Sequence, residues 1–241
     1  CVQWSKFSFC GKKDYAKTTK YFFKMEGNSM DPKREHHKIL ADQLIKNLAK
    51  RHMEGFYCET PEEACNLASS LMKQGSSVSW GGTMTMKEIG LDKVIANRSD
   101  LIVYDRANAN SQEEIDEIYR KTFSADNFIM STNAISLDGQ LVNIDGTGNR
   151  VAALIFGPKQ VIVIAGMNKV CHDLDSAMVR ARNIASPPNA LRFDKKTPCT
   201  ANGSCGDCLS GDCICNQIVI TRNSRDENRI KVILVEGEWG Y

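Results

Sequence analysis

Helix-start signals alternate with short apolar segments along most of the chain, and this order restricts its fold more than any other feature. Capping boxes begin at Thr60, Thr85 and Ser111, and each opens a helical pattern. The segment from Gln160 to Ala165 is nearly all apolar, as is typical of a strand that is buried on both faces. We therefore predict an α/β fold in which helices cover both faces of a three-layer, mostly parallel sheet.

Two later segments add detail to this order. The Asp138-Gly139 pair is a hairpin turn signal, so Gln140 to Ile144 should return antiparallel after it. A helical pattern from Asp173 to Ala185 should end at Pro187-Pro188, because proline interrupts the hydrogen bonds of a helix interior. The chain shows no internal repeat, and we assign residues 30–241 to one α/β domain.

The composition is that of an ordinary globular protein and excludes several classes. Apolar residues make up 42% of the chain and charged residues 25%, which argues against a disordered, collagenous or coiled-coil protein. The longest uninterrupted apolar run, Val161 to Met167, is too short to cross a bilayer, and no signal peptide is recognisable. We therefore expect a cytoplasmic protein with no membrane span.

The charge of the chain is small and unevenly distributed. The formal net charge is +2, yet residues 1–24 hold six lysines and one aspartate, so the remainder is slightly acidic. A slightly acidic body argues against nucleic acid as the main partner, because phosphate binding needs a basic face. The basic segment could contact RNA or a membrane, but we interpret residues 1–29 as an N-terminal extension that is disordered or not native.

Two glycine turns connect a strand to a helix at the sheet edge where α/β proteins bind ligands. They run from Trp80 to Thr85 and from Asp145 to Arg150, and their glycines let the backbone approach a ligand closely. The N–H groups at the start of each following helix would attract an anion, and Arg150 could bind a phosphate or carboxylate with two hydrogen bonds. Neither turn matches a P-loop or the dinucleotide fingerprint, and each fits a simple tight turn equally well.

Polar residues also follow the neighbouring strands, and Arg106 or Lys169 could hold an anionic substrate. Either cation could equally serve in a structural salt bridge, and Glu88 could simply complete its capping box. The catalytic residues are unknown: the four histidines form no triad, and no nucleophile–base pair is recognisable, which disfavours hydrolase chemistry. The predicted site for a small anionic substrate consists of Gly81, Gly82, Thr83, Thr85, Glu88, Asp105, Arg106, Asn133, Asp145, Gly146, Thr147, Gly148, Asn149, Arg150, Asn168 and Lys169.

Five of the ten cysteines fall within a Cys-rich loop that we assign to residues 197–216. Without a secretion signal, a metal site fits this cluster better than a disulfide scaffold, although a disulfide-linked or idle loop is the alternative. Four thiolates can surround one centre, and their spacing fits zinc and an iron–sulfur cluster equally. The predicted metal ligands are Cys199, Cys205, Cys208 and Cys215, with Cys213 in reserve.

Six segments form a pattern that extends from about residue 31 to the last residue. They are Val78 to Leu91, Asn133 to Ile135, Leu141 to Pro158, Gly166 to Lys169, Arg180 to Ala185, and Thr197 to Cys199 with the three other predicted cysteine ligands. In these segments the chain resembles the lactate-utilisation (LUD) domain family, and the stretch from Asp145 to Pro158 is quite specific for it. Residues 1–29 show no such likeness.

The resemblance implies a fold similar to the sugar-phosphate isomerase and CoA-transferase superfamily. It also implies that the protein is a component of L-lactate utilisation, in which lactate is oxidised to pyruvate. Such a component is associated with iron–sulfur electron transfer and with redox partner proteins. The redox association of the family favours a [4Fe–4S] cluster over zinc on the four cysteines, in a subunit of an iron–sulfur lactate oxidation system. The alternative is an enzyme or binding protein for a phosphorylated or CoA-linked metabolite, with a structural zinc site.

Overall fold

Ten strands and nine α-helices make up the part of the chain that the structure, a computed structural model, describes, namely residues 31–241. Residues 1–29, interpreted above as an extension, lie outside the described residues. The strands are β1 (Glu54–Cys58), β2 (Ser77–Trp80), β3 (Ile102–Tyr104), β4 (Asn127–Met130), β5 (Ala134–Ser136), β6 (Leu141–Asp145), β7 (Gln160–Gly166), β8 (Val170–Cys171), β9 (Gln217–Thr221) and β10 (Ile230–Val235). The α-helices are α1 (Pro32–Ala49), α2 (Pro61–Leu71), α3 (Met84–Glu88), α4 (Leu91–Ala96), α5 (Gln112–Thr122), α6 (Asn149–Ile155), α7 (Leu174–Arg180), α8 (Ser186–Arg192) and α9 (Pro198–Asn202).

The larger sheet has six strands in the order β1-β10-β7-β4-β2-β3, and all of its neighbouring strands are parallel. Successive residues of the central strand β7 point to opposite faces. Val161 and Val163 pack in one apolar cluster with residues of α1 and α6, while Ile162 and Ile164 pack in another with residues of α2 and α4. The prediction of a three-layer, mostly parallel α/β fold is therefore confirmed.

Side-chain caps fix where several of these helices begin. Asp31, Thr60 and Ser111 each accept a hydrogen bond from a backbone N–H of the first turn, as the capping pattern predicts. The helix predicted to begin at Thr85 instead has Thr83 as its cap, since the Thr83 side chain accepts from the Met86 N–H. The prediction was wrong here because two threonines two residues apart offer alternative caps.

A second sheet of four strands, in the order β8-β5-β6-β9, packs beside the first and was not predicted. The hairpin at Asp138-Gly139 does form: β6 runs antiparallel to β5, the three-residue strand before the turn. Strand β9 then pairs antiparallel with the whole length of β6, from Asp145 to Leu141. This small sheet brings the segment after the Cys-rich loop against the second glycine turn.

The Pro187-Pro188 pair does not end the helix that precedes it, which corrects the sequence prediction. Helix α7 passes into a π-helical turn, Ala181–Ala185, and α8 begins directly at Ser186 with the prolines in its first turn. Proline is tolerated there because N–H groups of a first turn have no partner within the helix. The Ser186 hydroxyl donates to the Ala181 carbonyl over 2.8 Å, in addition to the hydrogen bond that this oxygen accepts from the Ser186 N–H.

No helix among residues 31–241 is both long and apolar enough to pass through a bilayer.

Candidate functional site

A cavity of about 430 Å³ opens at the carboxyl ends of β2, β3, β4 and β7, the edge at which the sequence predicted a ligand site. Ten of the predicted residues line it: Gly82, Thr83, Arg106, Asn133, Asp145, Gly146, Thr147, Asn149, Arg150 and Lys169. The segment from α8 to the Cys-rich loop closes the opposite side of the cavity. Both glycine turns therefore meet at this cavity, but they do not follow strands of one sheet edge as expected: the first follows β2 of the parallel sheet, and the second follows β6 of the smaller sheet.

Six other predicted residues do not line the cavity, although most support residues that do. Thr85 accepts a hydrogen bond from Lys169, and Gly81 lies so close to Arg150 that a Cβ there would be 2.9 Å from its Cγ and Cδ. Gly148 has a positive φ of 89° and precedes α6. The remaining three residues, Glu88, Asp105 and Asn168, form hydrogen bonds with backbone groups. Glu88 accepts from the Gly240 N–H, and Asp105 caps the turn at Arg106–Asn108. The Asn168 side chain contacts the backbone of Trp239 and Gly240.

The charge of the cavity wall is strongly positive. Five cationic side chains line it, whereas Asp145 is the sole carboxylate side chain of the described lining. The cationic side chains are Arg106, Arg150, Lys169, Arg192 and Lys195. Such an excess of positive charge in a concave, partly desolvated site favours an anionic ligand.

Arg150 is held in place by an ion pair and several hydrogen bonds within the protein. Its guanidinium contacts the Asp145 carboxylate at 3.2 Å and donates to Asn143 Oδ1 at 2.6 Å. It also donates to the carbonyl oxygens of Ser131 and Ile144, at 3.1 and 2.7 Å. Burial lowers the pKa of this guanidinium, although the nearby Asp145 charge acts in the opposite direction. Arg150 therefore ties the second glycine turn to the end of β4 and forms part of the cavity wall.

Arg106 and Arg192 differ from Arg150, because neither forms a salt bridge within residues 31–241. The Arg106 guanidinium lies 5.8 Å from the ring centre of Tyr119, and the Arg192 guanidinium lies 4.2 Å from that of Phe193. A Cβ at Gly82 would be 3.1 Å from Nη2 of Arg106 and 3.9 Å from Nη2 of Arg192. The two guanidinium groups thus converge on the first glycine turn. Arg192 also donates from Nε and Nη2 to Asn189 Oδ1 over 3.1 and 2.8 Å, but this neutral amide leaves its positive charge uncompensated.

Lys169 is a nearly buried amine at the cavity wall. It is 3% exposed, and its Nζ donates to Thr85 Oγ1 over 3.1 Å and to Ser131 Oγ over 3.0 Å. Burial, and then the positive charge of Arg180, lowers the pKa of Lys169 to about 7, against the opposing effect of Glu88. The amine is therefore partly neutral at physiological pH, unlike an exposed lysine.

Arg192, Lys195 and Tyr241 belong to the cavity but were absent from the predicted site. Arg192 and Lys195 lie more than forty positions after the second glycine turn, beyond the prolines that were expected to end a helix. No local pattern marks them, because their role depends on α8 crossing the mouth of the cavity. The prolines at its start were interpreted as the end of a helix. Placed in the first turn of a new helix, where proline is favoured, they would have predicted a helix that reaches Arg192.

The Cys-rich loop adjoins the cavity directly. Ile214 lines the cavity, and the Asn216 side chain donates to the Gly146 carbonyl over 3.0 Å. Burial raises the pKa of the Cys215 thiol, and Cys213, Cys205 and Cys199 are close enough to raise it further. A ligand bound by this loop would therefore lie beside the cavity.

The donor set of the loop suits a thiophilic metal centre, but its thiols are not gathered into a ligand shell. All five cysteines of the loop are free thiols. Cys199 Sγ contacts Thr197 Oγ1 at 3.2 Å, and Cys208 Sγ contacts Ser210 Oγ at 3.7 Å. Within the described range, no three His, Cys, Asp or Glu side chains are arranged to hold a metal ion. The chemistry of the donors fits iron–sulfur or zinc, and binding would require the loop to close around it.

The family model of the LUD domain matches residues 41–235, which is most of the chain. The chain belongs to the LUD domain family. The resemblance inferred from the six segments is thus confirmed, and membership in this family suggests a role in lactate utilisation.

Two solved structures are similar to the LUD domain described here. A DUF162 family protein from Deinococcus radiodurans is 10% identical, with a TM-score of 0.49, over 83% of this chain and 98% of that chain. The structure of eIF2B delta from Chaetomium thermophilum is 16% identical, with a TM-score of 0.33, over 60% of this chain and 55% of that chain. A comparison with curated proteins found no significant match.

Proposed function

We propose that this LUD domain protein binds a small anionic metabolite in the cavity and serves as a component of L-lactate oxidation to pyruvate. The observation that carries the proposal is the convergence of Arg106 and Arg192 on Gly82, with no carboxylate paired to either guanidinium in residues 31–241. A carboxylate offers two oxygens that match the planar fork of a guanidinium. The glycine leaves the space between the two arginines open to such a group.

The binding prediction is tested with single Arg106→Gln and Arg192→Gln variants. Each should weaken the binding of L-lactate or pyruvate about 10- to 100-fold, because a hydrogen bond to a charged group contributes roughly 1.5–3 kcal/mol. Isothermal titration calorimetry measures the affinities. The matched control is Arg120→Gln, which removes an exposed arginine of α5 outside the cavity and should leave affinity unchanged. Equal affinities in all three variants would exclude this pair of arginines as the anion site.

A second candidate ligand is a phosphorylated or CoA-linked metabolite. The size and charge of the cavity favour it, because about 430 Å³ and the three cations Arg106, Arg192 and Lys195 exceed what one small monocarboxylate requires. Titration of the same protein with sugar phosphates and CoA separates the two candidates. A phosphorylated ligand that binds more tightly than lactate and pyruvate, and that loses affinity in the arginine variants, would establish the second candidate.

The second part of the proposal assigns electron transfer to the Cys-rich loop. Cys199, Cys205, Cys208 and Cys215 would hold a [4Fe–4S] cluster, with zinc as the alternative occupant. Four thiol donors on one loop beside the cavity support this assignment, although the loop has to close to bring them together. A bound cluster would supply one-electron transfer, and redox partner proteins would then pass the electrons on.

The metal prediction is tested by purification without oxygen, followed by analysis of iron, sulfide and zinc and by visible absorption spectra. We expect iron with a chromophore that bleaches on reduction, and we expect Cys205→Ser to lose it because one thiolate ligand is removed. Cys213→Ser is the matched control, since it removes a thiol of the same loop that is not a predicted ligand. Stoichiometric zinc without a chromophore would contradict the electron-transfer role and support a structural site.

A further inference from the structure

We propose that Lys169 is a nucleophile that forms an imine with an anionic aldehyde or ketone bound in the cavity. This covalent chemistry goes beyond the anion binding proposed above. It rests on that proposal in one respect, because Arg106 and Arg192 have to hold the anionic group of the ligand.

The placement of Lys169 suits a reactive amine better than a structural cation. The residue ends a short 3₁₀ turn directly after the central strand β7, and its side chain reaches the cavity wall. Its hydrogen-bond partners are the hydroxyls of Thr85 and Ser131, which can bind a neutral amine as well as an ammonium group. No carboxylate of residues 31–241 forms a salt bridge with it. A structural lysine that is buried to this extent normally has such a partner.

Three charged groups surround the amine, and together they favour its neutral form. Arg180 on α7 and Arg150 on α6 oppose a further positive charge, whereas Glu88 on α3 favours it. Arg180 is fixed in place, because its guanidinium donates to the carbonyl oxygens of Asn168 and Asn133 over 2.7 and 2.5 Å. Burial adds to the effect of the two arginines. A desolvated lysine beside another cation is the arrangement that activates amines for imine formation.

The proposed step needs no oxidant or reductant. The electron pair of the neutral Lys169 amine attacks the carbonyl carbon, and a C–N bond forms. The two hydrogens of the amine pass to the carbonyl oxygen, which leaves as water. A C=N double bond then joins Nζ to the former carbonyl carbon, and hydrolysis reverses the same step. Thr85 and Ser131 hold the amine in place and can relay protons between nitrogen and oxygen.

The chemical class of the ligand follows from the cationic side chains of the cavity and from the position of Lys169. The cationic side chains require an anionic group, and the lysine requires a carbonyl carbon within reach of Nζ. Both a 2-oxo acid and a phosphorylated aldehyde carry these two features. The shared chemistry is an anionic carbonyl compound, and the experiment distinguishes the carboxylate from the phosphate.

Borohydride trapping tests the proposal on the full chain. The protein is incubated separately with pyruvate and with glyceraldehyde 3-phosphate at pH 7 and reduced, and the modified lysine is located by peptide mass spectrometry. We expect the main adduct on Lys169, because its lowered pKa leaves far more of its amine neutral at pH 7 than in an ordinary lysine, and because it lies at the wall of the cavity that holds the anion. Lys169→Met should lose the adduct, and the control Lys73→Met, which changes an exposed lysine outside the cavity, should keep it. Because an aldehyde reacts with amines faster than a ketone does, the labelling of Lys169 by each probe is divided by the labelling of the exposed Lys73 in the same sample. The probe with the higher ratio identifies the anionic group.

The labelled position in the unmodified chain decides the matter even if Lys169→Met does not fold. Labelling spread over exposed lysines, with a rate that still rises above pH 9, would overturn the proposal. Calorimetry on the same samples separates a failure of imine formation from a failure of anion binding. Binding of pyruvate or the phosphate without an adduct overturns the imine alone, whereas the absence of any anion binding overturns the proposed function as well.

Discussion

An Arg150→Met variant is expected to lose about 3–5 kcal/mol of unfolding free energy, since it breaks a buried ion pair and leaves its partner uncompensated. The Asp145 side chain, 8% exposed, would keep one hydrogen bond, from the Gly148 N–H at 2.7 Å. Asn143 Oδ1 and the carbonyl oxygens of Ser131 and Ile144 would also lose their donor. Urea denaturation followed by circular dichroism measures the loss.

Two controls separate the loss of the buried pair from the loss of a charge. Arg120→Met removes an exposed arginine by the same substitution and should cost less than about 0.5 kcal/mol. The double variant Arg150→Met/Asp145→Asn should regain part of the loss, because it no longer leaves a charged carboxylate in the protein interior. If the double variant is less stable than Arg150→Met by the full cost of a second independent change, the pair is not coupled.

The parallel sheet was predictable from the sequence because its signals are local and strong. In the segment from Gln160 to Ala165, the residues that would point to either face of a strand are nearly all apolar. This pattern is typical of a strand that is covered on both faces. Caps such as Asp31 and Thr60 lie directly before the helices that they begin. The first glycine turn follows β2, so its position at the carboxyl edge of the parallel sheet follows from the strand direction alone. The second follows β6 of the smaller sheet, and its position at the same cavity could not be predicted in this way.

The second sheet was not predictable in the same way. Strands β5 and β8 have three and two residues, too few to show an alternating pattern. Strand β5 pairs with β6 across the hairpin, β8 pairs with β5, and β9 pairs with β6 from a distant part of the chain. Their pairing depends on tertiary contacts, which intrinsic strand preference does not encode.

The separate roles of the cavity cations also required the structure. Arg106, Arg150 and Lys169 are three cations at strand ends, and the sequence predicted the same anion-binding role for each. The structure distinguishes them by their partners: a buried carboxylate for Arg150, an aromatic ring for Arg106 and two hydroxyls for Lys169. A burial pattern read from one strand does not reveal which residues from other strands will surround a side chain.

A Phe128→Ala variant should destabilise the protein by about 3–5 kcal/mol, because it opens a cavity in the middle of the fold. Phe128 is 2% exposed and lies on β4, between Ser79 of β2 and Val161 of β7. It packs in the apolar cluster that joins the sheet to α1, so no neighbouring side chain can move freely into the space. Thermal and urea unfolding measure the loss.

The matched control is Phe156→Ala, which removes the same side chain from a position that is 80% exposed. It should change stability by less than about 0.5 kcal/mol, and equal losses in both variants would contradict the central position of β4.

Ligand affinity should distinguish Phe128→Ala from the arginine variants. Ser131, Thr132 and Asn133 follow β4 and line the cavity, but Phe128 points away from it into the core. A folded Phe128→Ala protein should therefore bind its anion with nearly normal affinity, while Arg106→Gln keeps its stability and loses affinity.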